Sequence, residues 1–453
     1  MLVSRGPRRA ALTVAACATL LLAGCGGSDD DGSADETAPA QVRLYGTDGN
    51  MQNSFAEEFG DQSGLLKGMK GTTPLTPLSD DFKERLRSID PDLTGFLYAA
   101  ETYDAVAISA IAAQLAGSTE PAKIAEQIVG VTNGGERCDS IGQCLELARD
   151  GLDVAYRGVS LTRAGFTDIG EPSTASYGTL HFGSDSQLDD GKTEFLGAGD
   201  ETTASGKEPP APKKQTPSVV RDSGAPLKLG SLLSKTGDLA LAYPPMAAGG
   251  ALALKEINDA GGVLGDDVAW VDGDDGTNPS VAKATVAKHI EDGVQVIIGA
   301  GASGISRAVL PDVVKAGLVL FSPSNTDAGL SAVEDGGLYF RTAPSDILQG
   351  RALADMILRD GARKIALVAR QDSYGEGLQG NVRSELERAG HGPSQVKLFN
   401  YTPPEDPNAP PLDFTSGAQE IKQFGADAVL VIGYAESAKV IQALAAAGMS
   451  LNR

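Results

Sequence analysis

Aromatic residues make up only 5% of this 453-residue chain, with a single Trp, so it offers no stacking platform for nucleobases or glycans. Basic residues are scarce. Thirty-eight Lys and Arg stand against 60 Asp and Glu, a formal net charge of −22. Neutralising phosphates takes clustered cations, which excludes nucleic acid as the main partner. Histidine occurs three times, at His181, His289 and His391, too dispersed for a His-rich metal site or a His-based proton relay. No apolar run beyond residue 25 is long enough to span a membrane. What is present suffices for a real core: 41% of residues are hydrophobic and 22% charged, over a length that accommodates two or three domains.

The N-terminus carries Arg5, Arg8 and Arg9, then an apolar run from Ala10 to Ala23. Basic, then apolar, then small is the layout of a secretory signal, and the run is short for a membrane span. It ends in Leu22-Ala23-Gly24-Cys25, which resembles the bacterial lipobox, in which the Cys becomes the lipid-bearing first residue. Residues 1–24 are therefore expected to be a lipoprotein signal peptide, and the Gly/Ser/Asp-rich stretch 25–40 a solvated tether. The mature protein would sit on the outer face of the cell membrane, held there through its lipid alone. Of four cysteines, Cys17 leaves with the signal and Cys25 is the lipidation site, leaving Cys138 and Cys144. An even remainder in an oxidising compartment points to one short-loop disulfide.

Residues 199–225 (DETTASGKEPPAPKKQTPSVVRDSGA from Asp200) are rich in Pro, Lys, Ser and Thr and read as a linker between two blocks, 41–198 and 226–453. The second block alternates short apolar runs with helical patterns: Leu227–Leu233, Val294–Gly299, Leu318–Phe321, Ile365–Ala369 and Ala428–Ile432 as strands, Met246–Asp259 and segments opened by Asn278-Pro279 and Ser345-Asp346 as helices. That alternation predicts a doubly wound, mostly parallel sheet, with sites at the carboxyl ends of strands. The first block opens on a strand, Val42–Tyr45, followed by the loop Gly46-Thr47-Asp48-Gly49. Later comes a long helical pattern, Gly95–Leu115, and the block reads as part of a fold rather than a whole one.

Long stretches of the second block resemble the first part of the type I periplasmic binding proteins for branched-chain amino acids: LKLGSLLSKTGDLA, ALALKEINDAGGVLG, VQVIIGAGASGISRAV, LVLFSPSNT, YFRTAPSD, KIALVARQDSYGEGL and ADAVLVIGYAESAKVI. The first block resembles that family's later part through VRLYGTDGNM, GMKGTTP, YAAETYDAVAISAIAAQLAG, the Cys138/Cys144 segment and DVAYRGVSL. The resemblance implies a two-lobed α/β fold whose order is circularly permuted, with 199–225 joining the old termini. One lobe would hold about 226–341 plus 78–175, the other 342–453, 41–77 and 176–198. Gln41 and Arg453 would then be neighbours, and Tyr45 would lie in the sheet that contains Val431. A domain-swapped dimer is the other way to complete both blocks.

Gly299–Gly304 spells G-x-G-x-x-G after a strand, the dinucleotide pattern, but the next strand ends Phe321-Ser322-Pro323 without the acidic partner that motif needs. The same loop misses the nucleophile-elbow pattern because Ile305 replaces its last Gly. The acidic run Asp272, Asp274, Asp275 invites a calcium loop, but Lys283 stands where the bidentate Glu would be. No metal and no cofactor is expected. Hydroxyls and free N–H groups at helix starts suit a carboxylate instead. The resemblance assigns carboxylate binding to Ser303 and Thr326, a backbone contact to Ser324, and the ammonium partner to Asp48, one methylene shorter than the Glu of some members. Tyr374 and Tyr434 would line the cleft, with Leu241, Ala242 and Tyr243 setting selectivity. The implied function is non-enzymatic. It is capture of an amino acid of the branched-chain type, or a related small amide or carboxylate, for an ABC permease complex. A sensing receptor is the alternative, and an exported α/β enzyme a remote one.

Overall fold

The computed structural model describes residues 41–214, 225–404 and 409–451. The signal segment, Cys25 and the tether to residue 40 lie outside the described residues, as do 215–224 and Arg453. Two large sheets organise the rest. A five-stranded parallel sheet runs in the order Tyr339–Arg341, Val319–Ser322, Val296–Gly299, Lys228–Leu232, Ala269–Val271. A seven-stranded sheet runs Val396–Tyr401, Ile365–Arg370, Ala428–Ile432, Arg43–Gly46, Lys70–Pro74, Thr174–His181, Glu194–Gly199. Its first five strands are mutually parallel, and the last two are joined on by antiparallel pairings. The central parallel strands Val296–Gly299, Ile365–Arg370 and Ala428–Ile432 are buried at every position, which is why they read as apolar runs rich in Val and Ile.

The two blocks of sequence meet in the seven-stranded sheet. Arg43, Leu44 and Tyr45 pair in parallel with Ala428, Val429 and Leu430. Just outside the strand, Gln41 bridges Ser450, and Val42 N donates to Ser450 O at 2.8 Å. The start of the described chain therefore lies beside its end, and Tyr45 shares a sheet with Val431.

The five-stranded sheet is covered by helices from the other block. Ala99–Ala116 is buried at every one of its 18 positions and packs against Tyr243–Asp259, Pro121–Val131 and the strands Val296–Gly299 and Val319–Ser322. A helix enclosed on all sides needs no polar face, so its sequence is Ala- and Ile-rich all round. Gly249 permits the closest approach: a Cβ there would stand 2.2 Å from Ala99 O. The helix expected from Met246 begins three residues earlier, at Tyr243, because Pro244 and Pro245 occupy the first turn, where no N–H partner is needed. Asn278 caps the next helix, its side chain accepting from Ser280 N at 2.8 Å, with Pro279 in the first turn as the sequence indicates.

Chain segments cross between the two sheets near residues 75–79, 157–173 and 342–345. Arg341, 1% exposed, ties two of these crossings together. Its guanidinium donates to Glu171 (Nε at 3.0 Å), to Ser331 Oγ at 2.7 Å and to Asp327 O at 2.8 Å, while its own N–H reaches Gly170 O at 3.1 Å. The described part of the expected linker is not free chain. Gln127 Nε2 donates to Pro210 O at 2.9 Å, Lys213 N to Leu115 O at 3.0 Å, and Ser205 Oγ to Asp168 at 2.6 Å. After the short helical turn Glu201–Thr203, the proline-bearing stretch forms no strand or helix among the described residues, yet the Pro210 carbonyl and the Pro209 ring still find partners on Pro121–Val131.

Cys138 and Cys144 are bridged, with Cα atoms 5.4 Å apart. The bond ties the short strand Glu136–Cys138 to the helix Ile141–Arg149. Closing so short a loop restricts the unfolded chain modestly, so replacing both cysteines by Ser should lower unfolding free energy by about 2 kcal/mol. Urea titration should show an earlier midpoint, with a slope equal to or slightly above that of the wild type because the unfolded chain is released. Peptide mapping without reduction should recover the two residues in one linked fragment.

Candidate functional site

Three strand-end loops converge between the two sheets. The strand Arg43–Gly46 delivers Thr47 and Asp48 at its carboxyl end. Thr47 N donates to Asn50 Oδ1 at 2.8 Å, and Asn50 Nδ2 donates to Val431 O at 3.0 Å, so the loop is pinned to the neighbouring strand. Gly49 is obligatory here. A Cβ would stand 2.4 Å from Gly433 O and 2.8 Å from the Tyr434 ring. Asp48, 4% exposed, accepts three hydrogen bonds: from Tyr98 OH at 2.7 Å, Tyr374 OH at 2.8 Å and Gln349 Nε2 at 2.9 Å.

Tyr374 and Tyr434 stack, with ring centroids 5.2 Å apart and planes 14° from parallel. Arg370, at the end of its strand, lies over the Tyr434 ring with Cζ 4.0 Å from the centroid. That guanidinium is buried among carboxylates: Glu436 at 2.8 Å, Asp372 at 2.6 Å and Asp238 at 3.5 Å. Asp238 belongs to the loop after Lys228–Leu232, so this last contact joins the two sheets, as does Ala435 N to Asp238 O at 3.1 Å. Burial and the neighbouring Glu436 charge push the Asp238 carboxyl up to about 6.

The hydroxyl cluster sits on the five-stranded side. Ser303 Oγ accepts from Thr326 N and Asp327 N, each at 3.3 Å. Ser324 Oγ donates to Gly301 O at 2.7 Å. Thr326 Oγ1 donates to Asp346 Oδ2 at 3.0 Å, and Asp346 N donates to Thr326 O at 2.7 Å. Asp346 is thus the joint between the hydroxyls and the carboxylate of Asp48, whose charge it feels directly. Neither Asp forms an ion pair among the described residues. Asp346 Oδ1 and Gln349 Oε1 are buried acceptors with no partner. A buried cluster of carboxylates and orphan acceptors is matched by a ligand rich in N–H donors, above all an ammonium.

Of the expected site residues, Asp48, Tyr374 and Tyr434 come together directly. Ser303, Ser324 and Thr326 form a second group, joined to the first through Asp346. Ala242 packs in the same apolar cluster as Tyr98, Tyr374 and Tyr434, with Leu241 and Tyr243 against it. The Tyr243 ring also meets Lys235 Nζ at 5.7 Å from its centroid. Sequence reasoning passed over Tyr98, Gln349, Asp346 and Arg370. Tyr98 lies inside what reads as a helical run, but its φ of 57° places it in the left-handed region, just ahead of the helix. The G-x-G-x-x-G loop spends its amides internally: Ala300 N donates to Ser306 Oγ at 3.1 Å and Gly301 N to Asp275 Oδ2 at 2.8 Å. Asp272 pairs with Lys235 at 2.8 Å, and Asp274 accepts from Lys235 N at 2.9 Å. No group of His, Cys, Asp and Glu among the described residues is arranged to hold a metal ion.

Comparison with known proteins gives a family. Residues 226–453 match the family model described as periplasmic binding protein. The chain is 27% identical over 229 residues to the Leu/Ile/Val-binding protein homolog 3 of Brucella melitensis, covering 50% of this chain and 59% of the relative. It is 30% identical over 200 residues to the leucine-, isoleucine-, valine-, threonine- and alanine-binding protein of Pseudomonas aeruginosa, covering 44% and 51%. Among solved structures it is similar to a branched-chain amino acid transporter substrate-binding protein of Streptococcus pneumoniae in complex with isoleucine, at 25% identity, TM-score 0.42, and 49% and 62% coverage. The chain spans between half and three fifths of the length of the curated relatives it matches.

The acid pair has a measurable cost. Burial raises the carboxyl of Asp48 against the opposing pull of its three donors, and raises that of Asp346 further through the charge of Asp48. A carboxyl raised on folding favours the folded state while protonated, and that advantage is lost as pH climbs through the folded value. The ligand-free protein should therefore gain from Asp346→Asn at pH 7.5, by roughly 2–4 °C in Tm. The gain over wild type should shrink towards about pH 4, where both carboxyls hold their protons. Paired thermal melts across that range check it.

Proposed function

Since the chain belongs to the periplasmic binding protein family, we propose that it captures a small amine-bearing ligand between its two sheets and delivers it to an ABC permease complex. The ligand class is an amino acid of the branched-chain type or a related small amide or carboxylate, in keeping with the names of the relatives. One observation supports the reading: two buried carboxyls, Asp48 and Asp346, share a site in which neither forms an ion pair among the described residues, beside the hydroxyls of Ser303 and Thr326. An ammonium supplies the missing charge, and the hydroxyls with the helix N-terminus at Ser303 receive the ligand's oxygen. Tyr374 and Tyr434 close over the ligand from the seven-stranded side, and Leu241, Ala242 and Tyr243 bound its side chain.

The chain order is read as circularly permuted relative to the family. The match begins at residue 226, and the parallel pairing of Arg43–Gly46 with Ala428–Ile432 supports a cut elsewhere in the ring of elements. Permutation is tolerated where termini lie close together on the surface. A lipid on Cys25 would keep the protein at the outer face of the membrane. Intact mass of the membrane-extracted protein should correspond to a chain that begins at an acylated Cys25, and a mass that retains residues 1–24 refutes this.

Asp48→Asn removes the charge and keeps the shape. Leaving a buried ammonium unpaired should cost about 2–5 kcal/mol, or roughly 30- to several-thousand-fold in affinity. Thr326→Val should cost less, about 1–3 kcal/mol, because backbone N–H groups still serve the ligand's oxygen. Calorimetry with the best ligand from a thermal-shift screen of amino acids decides it, and equal affinity in Asp48→Asn rules out an amine at that position.

A further inference from the structure

A cavity of about 640 Å³ has no side chain of the polar site in its wall and stands apart from it. Its wall is mainly apolar, with Met51, Leu180 and Leu188 from the segments that follow or form the seven-stranded sheet, and Leu93, Leu97 and Leu241 from elsewhere. Direct bonds hold these segments together. Asn53 Nδ2 donates to Thr94 O at 3.0 Å, while Asn53 Oδ1 accepts from Leu188 N at 2.8 Å. At about 30 Å³ per water-sized group the cavity has room for roughly twenty such groups. An apolar space of that size with few polar groups is the usual form of a small-molecule site.

One buried polar group of the wall is unspent. Gln52 is 6% exposed, and its Nε2 has no hydrogen-bond partner. A buried amide donor without an acceptor is costly, and a ligand oxygen relieves that cost. The charged groups of the wall are differently placed. Glu57, Glu58, Arg87, Asp92 and Asp190 are exposed and Lys83 is half-buried. Lys83 and Arg87 already lie over the Phe96 ring, 5.9 and 5.1 Å from its centroid. An ionic head at the opening would thus meet charges of both signs in solvent and gain little. An ionic head inside would be buried with a single amide for a partner, which a neutral carbonyl tolerates and a charge does not.

We propose that this cavity is a second ligand site, separate from the polar one, for an uncharged apolar molecule that bears a carbonyl. Its hydrocarbon part lies against the leucines and Met51, and its carbonyl oxygen accepts from Gln52 Nε2. A ketone, an ester or a lactone with a chain of about ten carbons fits both the volume and the donor. The inference does not depend on the ammonium reading of Asp48.

Calorimetry on the full chain with 2-decanone, 2-octanone, decanoate and decylammonium tests it. 2-Decanone should bind at least about fivefold tighter than 2-octanone, because more methylene surface is buried. The two charged decyl compounds should bind at least about tenfold more weakly than 2-decanone. Gln52→Met should weaken 2-decanone by about three- to tenfold. The same variant should bind N-phenyl-1-naphthylamine, a neutral fluorophore without a carbonyl, as wild type does, which shows the cavity intact. Leu188→Trp fills the space and should abolish binding of both the ketone and the fluorophore. Leu188→Phe, a smaller intrusion, should weaken both if the Trp variant does not fold. Asp48→Asn should leave 2-decanone unaffected. The inference is overturned if 2-decanone does not bind wild type, if Gln52→Met binds it undiminished, or if a charged decyl compound binds as tightly. It is overturned equally if folded Leu188 variants keep full affinity, or if Asp48→Asn abolishes ketone binding and so places the ketone in the polar site.

Discussion

The parallel pairing of Arg43–Gly46 with Ala428–Ile432 is the contact on which the rest depends. It inserts the first described strand into the middle of the seven-stranded sheet and carries Thr47 and Asp48 to the end of that strand. Asn50 then locks the turn to Val431 O, and Gly49 lets it lie against Gly433. A slip by one residue would exchange the faces of Leu44 and Tyr45 and turn Asp48 away from Tyr98, Tyr374 and Gln349. Backbone register, rather than any side-chain preference, thus decides where the acid of the site stands.

Electrostatics gives that position its meaning. Asp48 is satisfied by three neutral donors, so it is held in place without being neutralised. Asp346, a turn away from Gln349 on the helix Asp346–Arg359, adds a second carboxyl with one oxygen unmatched. By contrast, Arg370 in the same sheet is surrounded by Glu436, Asp372 and Asp238 and leaves no cation free for them. Arg341 acts on Asp346 only through its charge, its donors being spent on Glu171, Ser331 and Asp327 O, so no arginine pairs directly with either acid among the described residues.

Much of this is legible in the sequence where a single segment suffices. Ile365–Arg370 and Ala428–Ile432 are apolar runs closed by turn residues, and they are strands at close to the expected limits. Ser303 and Thr326 stand at strand ends, and the fold joins them to each other and to Asp346. The strands Lys70–Pro74 and Thr174–His181 are harder to see, because KGTTP and TASYGTLH carry polar and small residues. Their antiparallel ladder holds them in the sheet more than their own composition does. The role of Tyr98 follows from a left-handed backbone angle, and that of Asp346 from a fold that brings it towards a residue some three hundred positions away. Distances of that kind have no local signature. The resemblance to a known family supplied Asp48, but not the company it keeps.

The wholly enclosed helix Ala99–Ala116 sets an order on the birth of the molecule. Its main partner, Tyr243–Asp259, is synthesised much later, and the contact Gln114 Oε1 with Leu264 N spans 150 residues. Until that partner is made, the first block offers the helix only Pro121–Val131 and Ile141–Arg149 as cover, and the face that Tyr243–Asp259 later takes stays open. The first block must wait, compact at best and sticky at worst, for the second to complete its core. Any holding factor that delays collapse of the nascent chain should matter most during that interval.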